Sequence, residues 1–148
     1  MYEKFGQFID GKWCQSSDKS TYEVINPANE ETLGHASKAT PEDVDRALKS
    51  AEKGLQVWKK TPPWKRSYII RRIADKIREK QDVLAKWMTL EVGKPFVEAK
   101  GEVNGAADIF EWNAEETKRI YGQTVESRFE DTRVHVYYQP VGVVAALS

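Results

Sequence analysis

A nucleophilic serine or cysteine is most often paired with a histidine, and this 148-residue chain has one cysteine, Cys14, and two histidines, His35 and His135. A reactive thiol needs a base within hydrogen-bond reach and surroundings that favour the thiolate. Cys14 instead follows Trp13 at the end of a strand-like segment. Both histidines sit in strand-like sequence with no serine elbow, paired-cysteine motif or zinc-protease helix beside them. A structural thiol is therefore expected. No glycine-rich dinucleotide fingerprint or Walker loop occurs, so no phosphate cradle is written into these residues. Glu91 stands just before Gly93-Lys94-Pro95, the sequence of a helix end, where a surface carboxylate is the plain reading.

The charges balance, 23 basic against 23 acidic. That leaves no whole-molecule field to draw in nucleic acid or an anionic membrane, and neither partner is expected. The balance is uneven along the chain. Residues 1–40 carry a net of −2, residues 41–101 a net of +6, and residues 102–148 a net of −4. The basic stretch that opens at Lys59 and closes at Lys80 holds nine Lys and Arg, with Asp75 and Glu79 as its only acids. Only two aromatic residues, Trp64 and Tyr68, lie within it, and a solvated helix face is the expectation. A lone cysteine excludes an internal disulfide and fits a reducing compartment; no targeting peptide or membrane-length apolar run is visible, and a cytoplasmic protein is expected.

Elements must position these residues, and their signals are local. Asp10-Gly11 between Ile9 and Lys12 is the dipeptide of a type I′ hairpin. Residues 21–25 and 32–36 flank the Asn26-Pro27-Ala28-Asn29 turn and predict a second hairpin. Thr40-Pro41-Glu42-Asp43 supplies an N-cap, a first-turn proline and first-turn acids, so a helix starts there and puts Val44, Ala47, Leu48, Ala51, Leu55 and Trp58 on one face. A second helix after Pro62-Pro63 is expected to turn Ile70, Ile73, Ala74 and Ile77 inward, with Arg71, Arg72, Lys76 and Arg78 outward. A third carries Leu84, Trp87 and Met88 and ends at Gly93. A fourth, over residues 96–120, shows Ala99, Val103, Ala106, Phe110 and Ala114 on a stripe, with Gly101 and Gly105 as sites for close approach of another backbone.

Residues 132–139 alternate as a strand, Thr132, Val134, Val136 and Tyr138 facing protein. After Pro140 the run from Val141 to Leu147 is continuously apolar, as in a parallel strand covered on both faces. Two readings stand. Either this strand opens a sheet completed by further sequence, or it pairs antiparallel inside a small α+β domain.

Seven segments occur in order: Phe8-Ile9-Asp10-Gly11-Lys12-Trp13, Val24-Ile25-Asn26-Pro27-Ala28, Thr40-Pro41-Glu42-Asp43-Val44, Leu90-Glu91-Val92-Gly93-Lys94-Pro95, Gly101-Glu102-Val103, Tyr121-Gly122, and Gln139-Pro140-Val141-Gly142-Val143-Val144. This succession resembles the amino-terminal third of the NAD(P)-dependent aldehyde dehydrogenase superfamily. Residues 111–119 resemble its succinate-semialdehyde dehydrogenase branch; Val92 departs from the threonine common in the family.

The resemblance implies an α/β fold: residues 1–122 as hairpins and helices of the cofactor-binding domain, 123–140 as an oligomerisation β segment, and 141–148 as the first strand of a Rossmann-like sheet. It implies a homo-oligomer, dimer or tetramer, that oxidises an aldehyde with NAD or NADP through a cysteine thiohemiacetal and thioester. The reacting cysteine, asparagine and glutamate of the family match nothing in these residues and would follow Ser148, so the chain alone is expected to be inactive. By position, Leu147 and Ser148 would face the cofactor. Backbone oxygens of Val24 and Ile25 with Glu91 would hold a monovalent cation, and Gly105, Ile109 and Trp112 would line the aldehyde entrance. The alternative is a non-catalytic α+β interaction module that binds an acidic partner through the basic stretch.

Overall fold

The structure, a computed structural model, describes residues 6–147. Three antiparallel hairpins frame four helices. In the first, β1 (Gln7–Ile9) pairs with β2 (Lys12–Cys14), with Phe8 opposite Trp13 and Ile9 opposite Lys12. Asp10 and Gly11 take φ of 55° and 75°, the turn the sequence specified. The second joins β3 (Thr21–Ile25) to β4 (Thr32–Ser37), and its register shifts between Val24 and Ile25. Its turn closes through Asn26, whose side-chain oxygen accepts from the Ala28 amide at 3.0 Å.

Helix α1 (Pro41–Trp58) begins at Thr40 in a complete capping box. Its foot packs on β1, but its apolar stripe meets little else: Val44 and Leu48 remain about half exposed. Helices α2 (Pro63–Glu79), α3 (Gln81–Val92) and α4 (Phe96–Glu116) form the packed body, α4 lying against both others. Ala85, Ala99 and Val103 make its centre, flanked by Ile77 and Met88. Gly93 closes α3 in the left-handed region at φ 78°, and a 3-10 turn, Thr117–Arg119, ends α4 earlier than residue 120.

Five expectations are corrected. The buried stripe of α4 runs through Ala107 rather than Ala106, because the helix steps by four residues from Val103, not three. Arg71 and Arg78 do not point outward; they bridge to α4. The strand expected over 132–139 is confined to β6 (Arg133–Val136), paired with β5 (Gln123–Glu126), and both strands of this hairpin are exposed on both faces. Residues 137–147 form no ladder of either kind with the described residues, so the antiparallel closure of a small α+β domain is not found. Close packing at Gly101 and Gly105 is also not seen: a Cβ at either would meet nothing within 4 Å.

The buried apolar residues are mostly alanines: Ala74, Ala85, Ala99, Ala107 and Ala114, with Ile9 and Val103. Large side chains lie outside. The chain exposes 11676 Å², whereas a compact monomer of this length exposes about 7,700 Å². These elements are layers that lack their covers.

Candidate functional site

Cys14 is held as structure. Its thiol donates to the Gln7 carbonyl oxygen at 3.4 Å across the β1–β2 ladder, and Arg46 approaches the sulfur at 3.5 Å. His135 lies opposite Thr124 in the β5–β6 hairpin, Nδ1 at 3.2 Å from the hydroxyl, and His35 pairs across β3 from Glu23. None of the three residues meets another, so Cys14 has no histidine base beside it.

The register shift of the β3–β4 ladder falls between Val24 and Ile25, the two residues whose backbone oxygens the resemblance assigns to a cation. Val24 faces Gly34 and Ile25 faces Thr32, so the extra residue is Leu33 and the irregularity lies on β4. The end of α3 lies against the turn that follows: a Cβ on Gly93 would stand 3.0 Å from Pro27 Cγ. Glu91 belongs to that last helical turn. Thr89, two residues earlier, has a buried hydroxyl with no hydrogen-bond partner among the described residues. Two backbone oxygens and one carboxylate suit a hard cation in chemistry. No cluster of three or more His, Cys, Asp or Glu able to hold a metal occurs among the described residues.

Gly105, Ile109 and Trp112 share the face of α4 turned away from α2 and α3. Ile109 is 65% and Trp112 69% exposed. Beside them on the helix run Asp108, Glu111 and Glu115, all engaged by α2. Arg71 donates Nη1 to Glu111 at 2.6 Å and its other amino group to Glu115; Arg78 donates to Asp108 at 2.7 Å and to Glu111 at 2.6 Å. Hydrogen bonds from Arg78 and then Arg71 hold the Glu111 carboxyl below its ordinary pKa. Sequence reading missed this network. The signal was present, two arginines seven apart on α2 and acids at i, i+3 and i+7 on α4. The network also uses two cations of the basic stretch internally, and Lys76 pairs with Glu79, which disfavours that stretch as a docking surface for an acidic partner.

Leu147 is 97% exposed, and Ser148 lies outside the described residues. With no ladder at residues 137–147 and no glycine-rich turn, the described residues do not form a dinucleotide site by themselves.

A family model described as "Aldehyde dehydrogenase family" matches residues 13–148. The chain belongs to this family. Among aldehyde dehydrogenases it is 41% identical over 141 residues to glutarate-semialdehyde dehydrogenase from Pseudomonas aeruginosa, and 41% identical over 140 residues to the NADP(+) succinate-semialdehyde dehydrogenase of Escherichia coli. Each match covers 95% of this chain and 29% of the relative. A crystal structure of succinate-semialdehyde dehydrogenase from Burkholderia pseudomallei superposes with a TM-score of 0.88 at 36% identity, over 93% of this chain and 29% of that one. The fold is thus that of the amino-terminal part of an aldehyde dehydrogenase, and the chain spans less than a third of the length of the relatives it matches.

Proposed function

We propose that the full-length protein oxidises an aldehyde to its carboxylic acid, with NAD or NADP taking the hydride and water supplying the second oxygen. The family match over residues 13–148 carries this reading. The substrate class is a short aldehyde with a carboxylate at its far end, succinate or glutarate semialdehyde, because the relatives named above act on these. The nucleophile and the hydride site belong to sequence outside these residues. Here the chain supplies scaffold: the α4 face bearing Gly105, Ile109 and Trp112 borders the aldehyde entrance, Leu147 and Ser148 approach the cofactor, and Val24, Ile25 and Glu91 hold a structural monovalent cation. The β5–β6 hairpin, with its free edges, serves a homo-oligomer. The enzyme works in the cytoplasm; no described helix is long and apolar enough to cross a membrane.

The test is to assay the full-length protein at 340 nm with succinate semialdehyde, glutarate semialdehyde and acetaldehyde, each with NAD+ and NADP+. Reduction of cofactor is expected with the two semialdehydes at higher kcat/KM than with acetaldehyde. Absence of reduction with every combination would remove the enzymatic reading; preference for acetaldehyde would remove the substrate class.

A further inference from the structure

The fully buried side chains between α2 and α4 are mostly small, and Ile77 is a larger one packed against Ala99 and Val103. Ser67 and Ala74 are the buried residues of α2, and Ala107 and Ala114 are buried on the half of α4 that carries the acids. Small side chains let two helices approach closely, but they interdigitate shallowly and resist sliding less than large ridges set in grooves. The ionic network adds to the register. Glu111 gives one carboxylate oxygen to each arginine, Oε1 to Arg71 and Oε2 to Arg78, while Arg71 also reaches Glu115 and Arg78 also reaches Asp108. The order reverses between the helices, so the pairing is that of antiparallel neighbours. Sliding α4 by one turn, about 5.4 Å, would break every one of these bonds. Hydrogen bonds to Glu115 and Asp108 hold the Arg71 and Arg78 guanidinium groups above their ordinary pKa.

Ile109 and Trp112 are chain neighbours of Asp108 and Glu111 and stand on the adjoining face of the same helix. We infer that Arg71 and Arg78 are positioning residues, a clamp on α4 that sets the axial place of Ile109 and Trp112. The inference rests on the proposal that this face borders the aldehyde path. A single exposed ion pair contributes little, but forked arginines sharing a carboxylate across two helices act as a unit.

The experiment compares full-length wild type, R71Q/R78Q and K65Q, the last removing a cation from α2 outside the clamp. In the double variant KM for succinate semialdehyde should rise roughly five- to tenfold with kcat within about twofold, while KM for acetaldehyde, too short to reach along the face, moves less; K65Q should match wild type. R71K keeps the charge without the fork and should shift KM in the same direction by less. Equal losses for both aldehydes, or a fall in kcat alone, would mark a merely structural role and overturn the clamp, as would unchanged KM. Hydrogen exchange over residues 105–116 needs no turnover: faster exchange in R71Q/R78Q than in K65Q supports the clamp, and equal protection overturns it. Failure of wild type to oxidise any aldehyde overturns the functional reading instead.

Discussion

Asp43 shows how one side chain can organise a fold junction. Its carboxylate is 1% exposed, yet it is not short of partners. Oδ2 accepts from the Thr40 amide at 3.1 Å, the Ser17 amide at 3.1 Å, Gln7 Nε2 at 3.2 Å and the Ser16 hydroxyl at 3.3 Å, while Arg46 pairs with Oδ1 at 2.9 Å. The Thr40 amide first, then the other donors, outweigh desolvation and hold the carboxyl well below the ordinary carboxylate range. A depressed folded-state pKa means stabilisation that is complete above the unfolded-state value near 4 and is lost as pH falls from there toward the folded value. Asp43→Asn should therefore unfold at lower denaturant than wild type at pH 7, since an amide nitrogen would face donors. The gap should narrow as the pH is lowered from about 5 to about 2. Denaturation midpoints across that range decide it, and a gap independent of pH would show that the charge is not what holds the junction. Thr40→Ala, which removes the hydroxyl that accepts from the Asp43 amide and bonds the Ser17 hydroxyl, should cost about 1 kcal/mol with a weaker pH dependence than Asp43→Asn.

Among the elements, the glycines separate local demands from demands made by neighbours. Gly93 needs its missing side chain twice over, for a φ of 78° and for a Pro27 ring that a Cβ would approach to 3.0 Å. Gly93→Ala should cost at least about 1–2 kcal/mol and loosen the end of α3 from the β3–β4 turn, which thermal melts and amide exchange at residues 89–93 would report. Gly101 has neither reason within the described residues, so Gly101→Ala in this 148-residue chain should raise helical content; a fall would show that its Cβ direction is already occupied. This contrast marks what was legible in the sequence. Caps, turns and helix ends depend on nearest neighbours, and Asp10-Gly11, Thr40-Pro41 and Gly93-Lys94-Pro95 each appear where their chemistry predicts. The inner face of α4 was not fully legible because alanines stand at both 106 and 107 and periodicity alone cannot choose between them. β5 offered only Val125 between polar residues and was readable only through its partner β6. The positions that the resemblance assigns to the aldehyde entrance, Gly105, Ile109 and Trp112, carry no local signature, whereas the arginine pair beside them is read from geometry alone.

For the molecule as a whole, the exposed surface is the governing quantity. The chain exposes 11676 Å² against roughly 7,700 Å² for a compact monomer, and large apolar side chains are among what it exposes: Val44 and Leu48 on α1, Ile109 and Trp112 on α4, and Val141, Val143, Val144 and Leu147 after the last hairpin. Scattered exposed hydrophobic residues are ordinary, but contiguous faces of this kind are interfaces waiting for partners. The Thr89 hydroxyl, buried with no hydrogen-bond partner among the described residues, gives the same signal in polar form, since a buried donor without an acceptor costs about 1–3 kcal/mol. The core that does exist is built from alanines, whose burial removes little apolar area each, so it cannot offset the chain entropy of ordering four helices and three hairpins. The 148-residue chain on its own should therefore bind a hydrophobic dye strongly, melt without a sharp transition, self-associate as its concentration rises, and turn over no aldehyde. A monodisperse, dye-silent monomer with a cooperative melt would show that the alanine core suffices, and the covering layers inferred from these faces would lose their physical necessity.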